Sequence, residues 1–327
     1  MKRSALIATT SALLFSFNTQ AATPNEYTVL LKAKKYSETE QAANARLAQD
    51  PANGDALVAK ARAILGAGHE ERIDEAVKLG EQCITAHPQQ SECHEQLGNA
   101  LGSKAVNAGI MSAMGYVGKI RDEFKKAVEL DPQNMSARFS LQQFYLQAPS
   151  IAGGGSGKAK TLAEETAKLS ADAATLMLAK MEIADDEFAK AEALATKASP
   201  APNTYLSETQ RDVLISIANA YARAKKYAES ERLFRDVQKR YPDAEWAPYG
   251  LARAMQDQGK HADAIALFEK SLAISVLPSA YYRIGQSWQA LHDKPKAIAA
   301  YEKALASKSG IGKKIKADAE DQLKALR

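Results

Sequence analysis

Apolar residues recur at steps of three and four through nearly the whole chain, and nowhere does a run of β-branched residues alternate at every second position. The first spacing stacks side chains along one face of a helix, and the missing alternation removes the signature of half-buried strands. An all-α chain follows. Near the C-terminus one sixteen-residue pattern appears three times, as YAESERLFRDVQKRYP (227–242), HADAIALFEKSLAISV (261–276) and KPKAIAAYEKALASKS (294–309). Its aromatic residues Phe234, Phe268 and Tyr301 recur at steps of 34 and 33, and a fixed period of that length marks stacked helical hairpins. A second helix precedes each pattern. Leu214, Ile217 and Tyr221 form its apolar face before the first, and Tyr281, Ile284, Gly285 and Trp288 before the third.

These residues resemble the tetratricopeptide repeat, which carries a large residue, Leu-Gly and Tyr on helix A, and Ala, an aromatic, Ala and often Pro on helix B. Tyr281, Ile284, Gly285, Trp288, Ala297, Tyr301 and Ala304 hold those places here. The resemblance implies a right-handed superhelical solenoid of antiparallel helix hairpins, in which small residues let two helices approach closely while the aromatic fills the gap beside them. Upstream, FKKAVELDP (124–132) and SECHEQLGNAL (91–101) are good copies. DEAVKLGEQCITAHP (74–88) and YSETEQAANARLAQDP (36–51) are weaker, and a degenerate pair is expected between Ala173 and Pro200. About eight hairpins result. The wording EFKKAVELDP and FYLQAP…GGG is similar to that of exported bacterial tetratricopeptide proteins, which brings no function with it.

Three regions are expected: a signal peptide over 1–21, degenerate repeats with insertions over 22–200, and regular repeats with a capping helix over 201–327. The joint between the last two is SPAPNTYLSE (199–208), where Pro200 and Pro202 forbid a continuous helix. It reads as a long inter-repeat turn, with a hinge as the alternative. The first 21 residues combine a basic start, an apolar stretch from Ala5 to Phe17 and small residues at Thr19-Gln20-Ala21, the layout of an export signal. No cysteine lies near it for a lipid anchor. Cleavage after Ala21 removes Lys2 and Arg3 with no acid, so the net charge falls from +4 to +2. Near neutrality argues against nucleic acid as a partner. The expected destination is the periplasm, with secretion beyond the cell as the alternative, and no stable membrane insertion is expected once the signal is removed.

Export gives the two cysteines a meaning. Cys83 and Cys93 lie five residues either side of Pro88, so a turn there places them at similar height on adjacent helices, and an oxidising compartment can bridge them. The alternative is that Cys83 is a buried small hydrophobe. Cys83, His87, Cys93 and His94 also resemble a zinc ligand set. However, Cys93 and His94 are consecutive on a helix and point about 100° apart, and His94 falls where a packing residue is needed; no metal is expected.

AGGGSGKA (152–159) imitates a phosphate-binding loop, but Ala152 and Ala159 stand where that loop needs Gly and a hydroxyl, and no strand precedes it. It reads as a flexible turn, and no cofactor is expected. Three turns within hairpins are expanded, at Gly66–Arg72, Ser103–Val117 and Pro149–Gly157, so they should project from one edge of the solenoid. Ile110, Met111, Met114 and Tyr116 of the middle one either cover one another or form an exposed patch for a partner. The other candidate face is the concave groove, where the resemblance places Asn219, Trp246, Tyr249, Arg253, Tyr282 and Gln286. Aromatics beside Arg and amides suit an extended peptide; the alternative is that Trp246 and Tyr249 pack between helices, since Pro248 marks an irregular start to that repeat. The family's chaperone-tail clamp needs Lys and Asn at set places; only Asn219 fits, so that specificity is not carried over. The expected function is a periplasmic scaffold for a protein or peptide partner in envelope assembly or maintenance, not an enzyme. The alternative is a carrier of a small ligand or metal, or an enzyme, using a cavity near the three insertions.

Overall fold

The computed structural model describes residues 24–327 except 109, 203, 308 and 309. Among the described residues there are seventeen α-helices and no strand. Sixteen of them pair as eight antiparallel hairpins: α1 (Pro24–Lys32) with α2 (Tyr36–Gln49), α3 (Gly54–Gly66) with α4 (Ile73–Ala86), α5 (Ser91–Ala108) with α6 (Ile110–Leu130), and α7 (Met135–Gln147) with α8 (Ser156–Ala167). Then come α9 (Ala171–Ala184) with α10 (Phe188–Lys197), α11 (Tyr205–Arg223) with α12 (Tyr227–Arg240), α13 (Trp246–Asp257) with α14 (His261–Ile274), and α15 (Pro278–Ala290) with α16 (Lys294–Ala306). The last helix, α17 (Lys313–Leu326), packs on α16 as a cap. The first helix of each pair faces the inside of the superhelix and the second faces out, as a solenoid of tetratricopeptide type requires.

Close approach within this stack depends on residues without a Cβ. A Cβ on Gly98 would lie 2.5 Å from the ring of Phe124, one on Gly285 2.7 Å from Tyr301, and one on Gly250 2.3 Å from Phe234. In the first two cases glycine and ring belong to one hairpin; in the third the ring comes from the hairpin before. All three rings are buried. The turns inside the hairpins repeat as well. Lys34, Gly68, Asp186, Lys225, Gly259 and His292 all hold positive φ between 55° and 76° just after the first helix, the left-handed residue that closes a helix and frees the chain to reverse. Only two of the six are glycine.

The insertions take three forms. The middle one continues α5 and α6 as helix, which makes theirs the longest hairpin. Tyr116 and Val117 pack against the core, whereas Val106 and Met114 are exposed; the side chains of Ile110 and Met111 lie outside the described ones. The third folds as a 3₁₀ turn over Ser150–Ala152 that packs on α6. The first makes a 3₁₀ turn, Glu70–Arg72, pinned where the Arg72 guanidinium forks onto Glu40 at 2.9 Å and onto Glu75 at 2.8 Å. It then does something no local pattern announces. The amide of Gly310 donates to Ala67 O at 3.0 Å, and that of Lys313 donates to Glu70 Oε2 at 3.3 Å across 243 residues of sequence. The solenoid has wound once around and met itself.

The joint at 199–208 is the connector between α10 and α11. Gln210 Nε2 donates to Ala195 O and Ala198 O, satisfying carbonyls at the end of α10, and Thr204 and Ser207 cap α11. The apolar core runs through it without a break. The signal-like residues 1–21 lie outside the described residues.

Cys83 at the end of α4 and Cys93 in α5 are joined by a disulfide with Cα atoms 5.4 Å apart, so it staples two successive hairpins. A Cβ on nearby Gly80 would lie 2.9 Å from Leu97 Cα, the measure of how closely these helices approach. Closing so short a loop lowers the entropy of the unfolded chain, worth about 3 kcal/mol. Urea unfolding of the oxidised protein against the Cys83→Ser/Cys93→Ser pair is expected to show that loss as a lower midpoint, whereas reductant should leave the double variant unchanged.

Candidate functional site

The concave face is laced by hydrogen bonds between successive inner helices. Glu95 of α5, almost fully buried, takes Arg62 of α3 at 3.4 Å and Ser136 of α7 at 2.5 Å. Gln256 of α13 donates to Ser287 of α15 at 2.8 Å, and Gln289 donates to Gln322 of the cap at 3.0 Å. Such bonds satisfy polar groups that the narrow interior takes from water, and they leave those stretches little free valence for a ligand.

Between α7, α9 and α11, beside the bond from Gln142 Nε2 to Met177 O at 2.7 Å, a cavity of about 450 Å³ opens. Phe139, Ile183 and Val213 give it apolar walls; Lys180, Tyr205 and Asp212 give it polarity. Tyr205 meets Phe139 edge-on, ring centroids 6.1 Å apart. It keeps 40% of its surface exposed, yet burial of its hydroxyl among the groove walls pushes its pKa up to about 12. The Lys180 ammonium lies 5.8 Å from the centre of the Phe139 ring. Burial lowers its pKa, with the field of Asp212 acting against that. No acid lies within ion-pairing distance of it among the described residues, because Asp212 is engaged by Arg211 at 2.8 Å and Glu208 by Lys32 at 3.1 Å. A desolvated cation beside an aromatic wall, with no carboxylate of its own, is matched by an anionic group flanked by an apolar one.

The six groove residues expected from the sequence do not form one surface. Tyr249 is buried, its ring held edge-on between Trp246 and Phe268 at 5.1 and 5.4 Å, and is a core residue. Trp246 is 44% exposed and lines a larger cavity of about 940 Å³ at the seam where the solenoid meets itself, together with Tyr36, His69, Leu277 and Ile311. Asn219 bonds back to Ile215 O within its own helix. Arg253 is half-buried, with no partner for its Nε hydrogen among the described residues. Tyr282 donates to Asp318 of the cap at 2.6 Å and accepts from Gln286 at 2.7 Å, so these two join the lacing. Lys180, Phe139 and Tyr205 were missed because they lie in or beside the degenerate repeats. The one available signal was the single cation in LMLAKMEIA (176–184), a run that is apolar apart from Lys180 and Glu182.

The remaining motifs are accounted for by structure. In the glycine-rich turn the amides of Gly153, Gly154 and Gly155 donate to Ser150 O, Pro149 O and Tyr145 O, and Lys158 donates to Gly153 O. Those donors are therefore spent within the turn. Gly154 is required because a Cβ there would lie 1.8 Å from Ala148 O. His94 Nδ1 faces Glu123 at 2.6 Å and its Nε2 faces Pro88 O at 3.1 Å, while His87 Nε2 faces Ala52 O at 2.6 Å. With both cysteines in the disulfide, no thiolate is left to ligate.

Residues 221–284 match the family model described as "Tetratricopeptide repeat". No curated protein matches the chain. Among solved structures, human IFIT1, crystallised as a dimer with m7Gppp-AAAA, is 16% identical with a TM-score of 0.52, over 93% of this chain and 63% of that one. A tetratricopeptide repeat protein from Parabacteroides merdae ATCC 43184 is also 16% identical, with a TM-score of 0.46 over 92% and 96%. Yeast Tom70 is 12% identical, with a TM-score of 0.42 over 93% and 88%. At 16% identity the likeness to IFIT1 shows the fold alone, a helical-repeat solenoid.

Burial, and the bond to the Asp318 carboxylate, push the pKa of Tyr282 up to about 12. An unfolded tyrosine ionises near pH 10, so its contribution to stability is complete below pH 10 and is lost as pH rises from there through the folded value. Replacing Asp318 with Asn should bring the Tyr282 titration downward. Absorbance titration of the Asp318→Asn variant, using Tyr282→Phe to identify the tyrosine, is expected to show this.

Proposed function

We propose that the protein is an exported scaffold of the bacterial envelope that holds a partner protein by an extended segment lying in the concave groove between α7, α9 and α11. The observation that carries this reading is Lys180, an ammonium set in an aromatic-walled groove with no ion-pair partner among the described residues. The partner segment it fits has a carboxylate next to an aromatic or aliphatic side chain. Charge-assisted contact supplies orientation at Lys180, and the Phe139 and Tyr205 rings supply contact area. Export rests on the sequence of residues 1–21, and the Cys83–Cys93 disulfide is consistent with an oxidising compartment such as the periplasm.

A second reading, a carrier of a small ligand, is favoured by the seam cavity of about 940 Å³, which one of the three insertions helps to line. The two readings separate experimentally. With a photo-crosslinking amino acid in place of Thr209, living cells are expected to yield a discrete protein adduct. Lys180→Met should weaken it by about tenfold, the loss of one charge-assisted contact, whereas Lys180→Arg should retain most of it. Equal adducts in all three proteins, or none in any, would remove the groove reading. A ligand retained in native mass spectrometry together with no adduct would favour the carrier.

A further inference from the structure

The first hairpin has little share in the main core. Its fully buried residues form a small cluster, Tyr27 and Ala43 with Ala56 and Ala59 of α3, which the partly buried Leu47 joins to the continuous core of the later hairpins. The Tyr27 hydroxyl is buried there with no hydrogen-bond partner among the described residues. Alanines bury little area, and an unsatisfied hydroxyl subtracts from what they gain. A terminal repeat with one neighbour is already the least stable part of a solenoid.

What holds the far side of this hairpin is electrostatic. Lys32, at the end of α1, reaches Glu208 of α11 at 3.1 Å, and Lys34, in the turn that follows, pairs with the buried carboxylate of Glu245 at the start of α13. Glu208 is a wall residue of the groove that also contains Lys180 and Tyr205. The turn therefore lies at the groove's edge, fastened to it by Lys32, while Lys34 and Glu245 line the neighbouring seam cavity. Beyond it the seam continues as the bonds from Gly310 to Ala67 and from Lys313 to Glu70. Glycine is needed on the Gly310 side, where a Cβ would lie 2.0 Å from Gly68 O. The seam joins turns to turns through single polar contacts.

We propose that the turn between α1 and α2 is a strap at the edge of the concave groove, and that its release from Glu208 and Glu245 admits the partner's segment. The proposal rests on the groove reading given above and adds its control. Closed, the strap takes up Glu208 and leaves Lys180 as the free charge within. Open, it exposes the groove along α11 and returns Glu208 to solvent. A partner segment that displaces Lys32 is thereby selected for carrying its own basic residue near Glu208 as well as its carboxylate near Lys180.

The test measures access without any ligand. Cys83 and Cys93 are buried and joined, so a cysteine introduced as Thr209→Cys is the reactive thiol of the folded protein. Its rate of modification by a bulky polyethylene-glycol maleimide is compared with that by iodoacetamide, with Glu269→Cys on the outer helix α14 as the reference. Raising NaCl from about 0.05 to about 1 M screens the exposed ion pair. The bulky reagent is then expected to react roughly fivefold faster at position 209, as the open population grows, while iodoacetamide and the reference site change little. Glu208→Gln should produce the same rise at low salt, with the helical circular dichroism of the parent. A bulky-reagent rate at 209 that responds neither to salt nor to Glu208→Gln would overturn the strap. Because this readout contains no partner, a responsive strap combined with no adduct at Thr209 would reject the groove reading alone.

Discussion

The architecture depends on how closely two helices can approach when one of them presents no Cβ. Gly98, Gly250 and Gly285 each lie under an aromatic ring that would clash with any larger residue. Each buried ring fills the space the glycine leaves, so burial and close approach are one event. Around the first hairpins, where Gly66 lies under the ring of Tyr36, the stack has other fastenings as well. Arg72 forks between Glu40 and Glu75, and the disulfide joins α4 to α5.

That local rule explains both what the sequence made legible and what it did not. The helices, their pairing and the period are consequences of side-chain spacing, and Gly285 with Tyr301 could be read directly. The placement of the cysteines followed from the turn at Pro88. The hairpin turns were less readable because Lys34, Asp186, Lys225 and His292 hold left-handed φ where glycine would have been the signal. The candidate groove suffered most. Family positions placed Tyr249 and Tyr282 on an open surface, but one is buried in the core and the other is bonded to the cap. Lys180 stands in a repeat too degenerate to align, and its meaning depends on Phe139 and Tyr205, which come from the hairpins before and after its own. The seam could not be read at all, since a 34-residue period describes neighbours and says nothing of residues 243 apart.

Polar groups divide the inner surface into two kinds of region. Where inner helices exchange hydrogen bonds, as from Gln256 to Ser287 and from Tyr282 to Asp318, the surface is rigid and already satisfied. Around Lys180 the bond from Gln142 to Met177 O persists, but the half-buried ammonium has no ion-pair partner among the described residues, and burial lowers its pKa. An uncompensated charge of this kind is a reason to look for function, because a purely structural surface would be expected to pair it.

Most solenoids are open-ended, and their length can change by whole repeats without penalty, because each unit contacts only the next. Contact between Ala67 and Gly310 removes that freedom. The hairpins from α3 to α16 bring the two glycine-bearing turns into register; one fewer would leave the last turn short of Gly68, and one more would carry it past. In this molecule the number of repeats is set by the requirement that a circle close, and an insertion or deletion of one unit would act as a change of topology rather than of length.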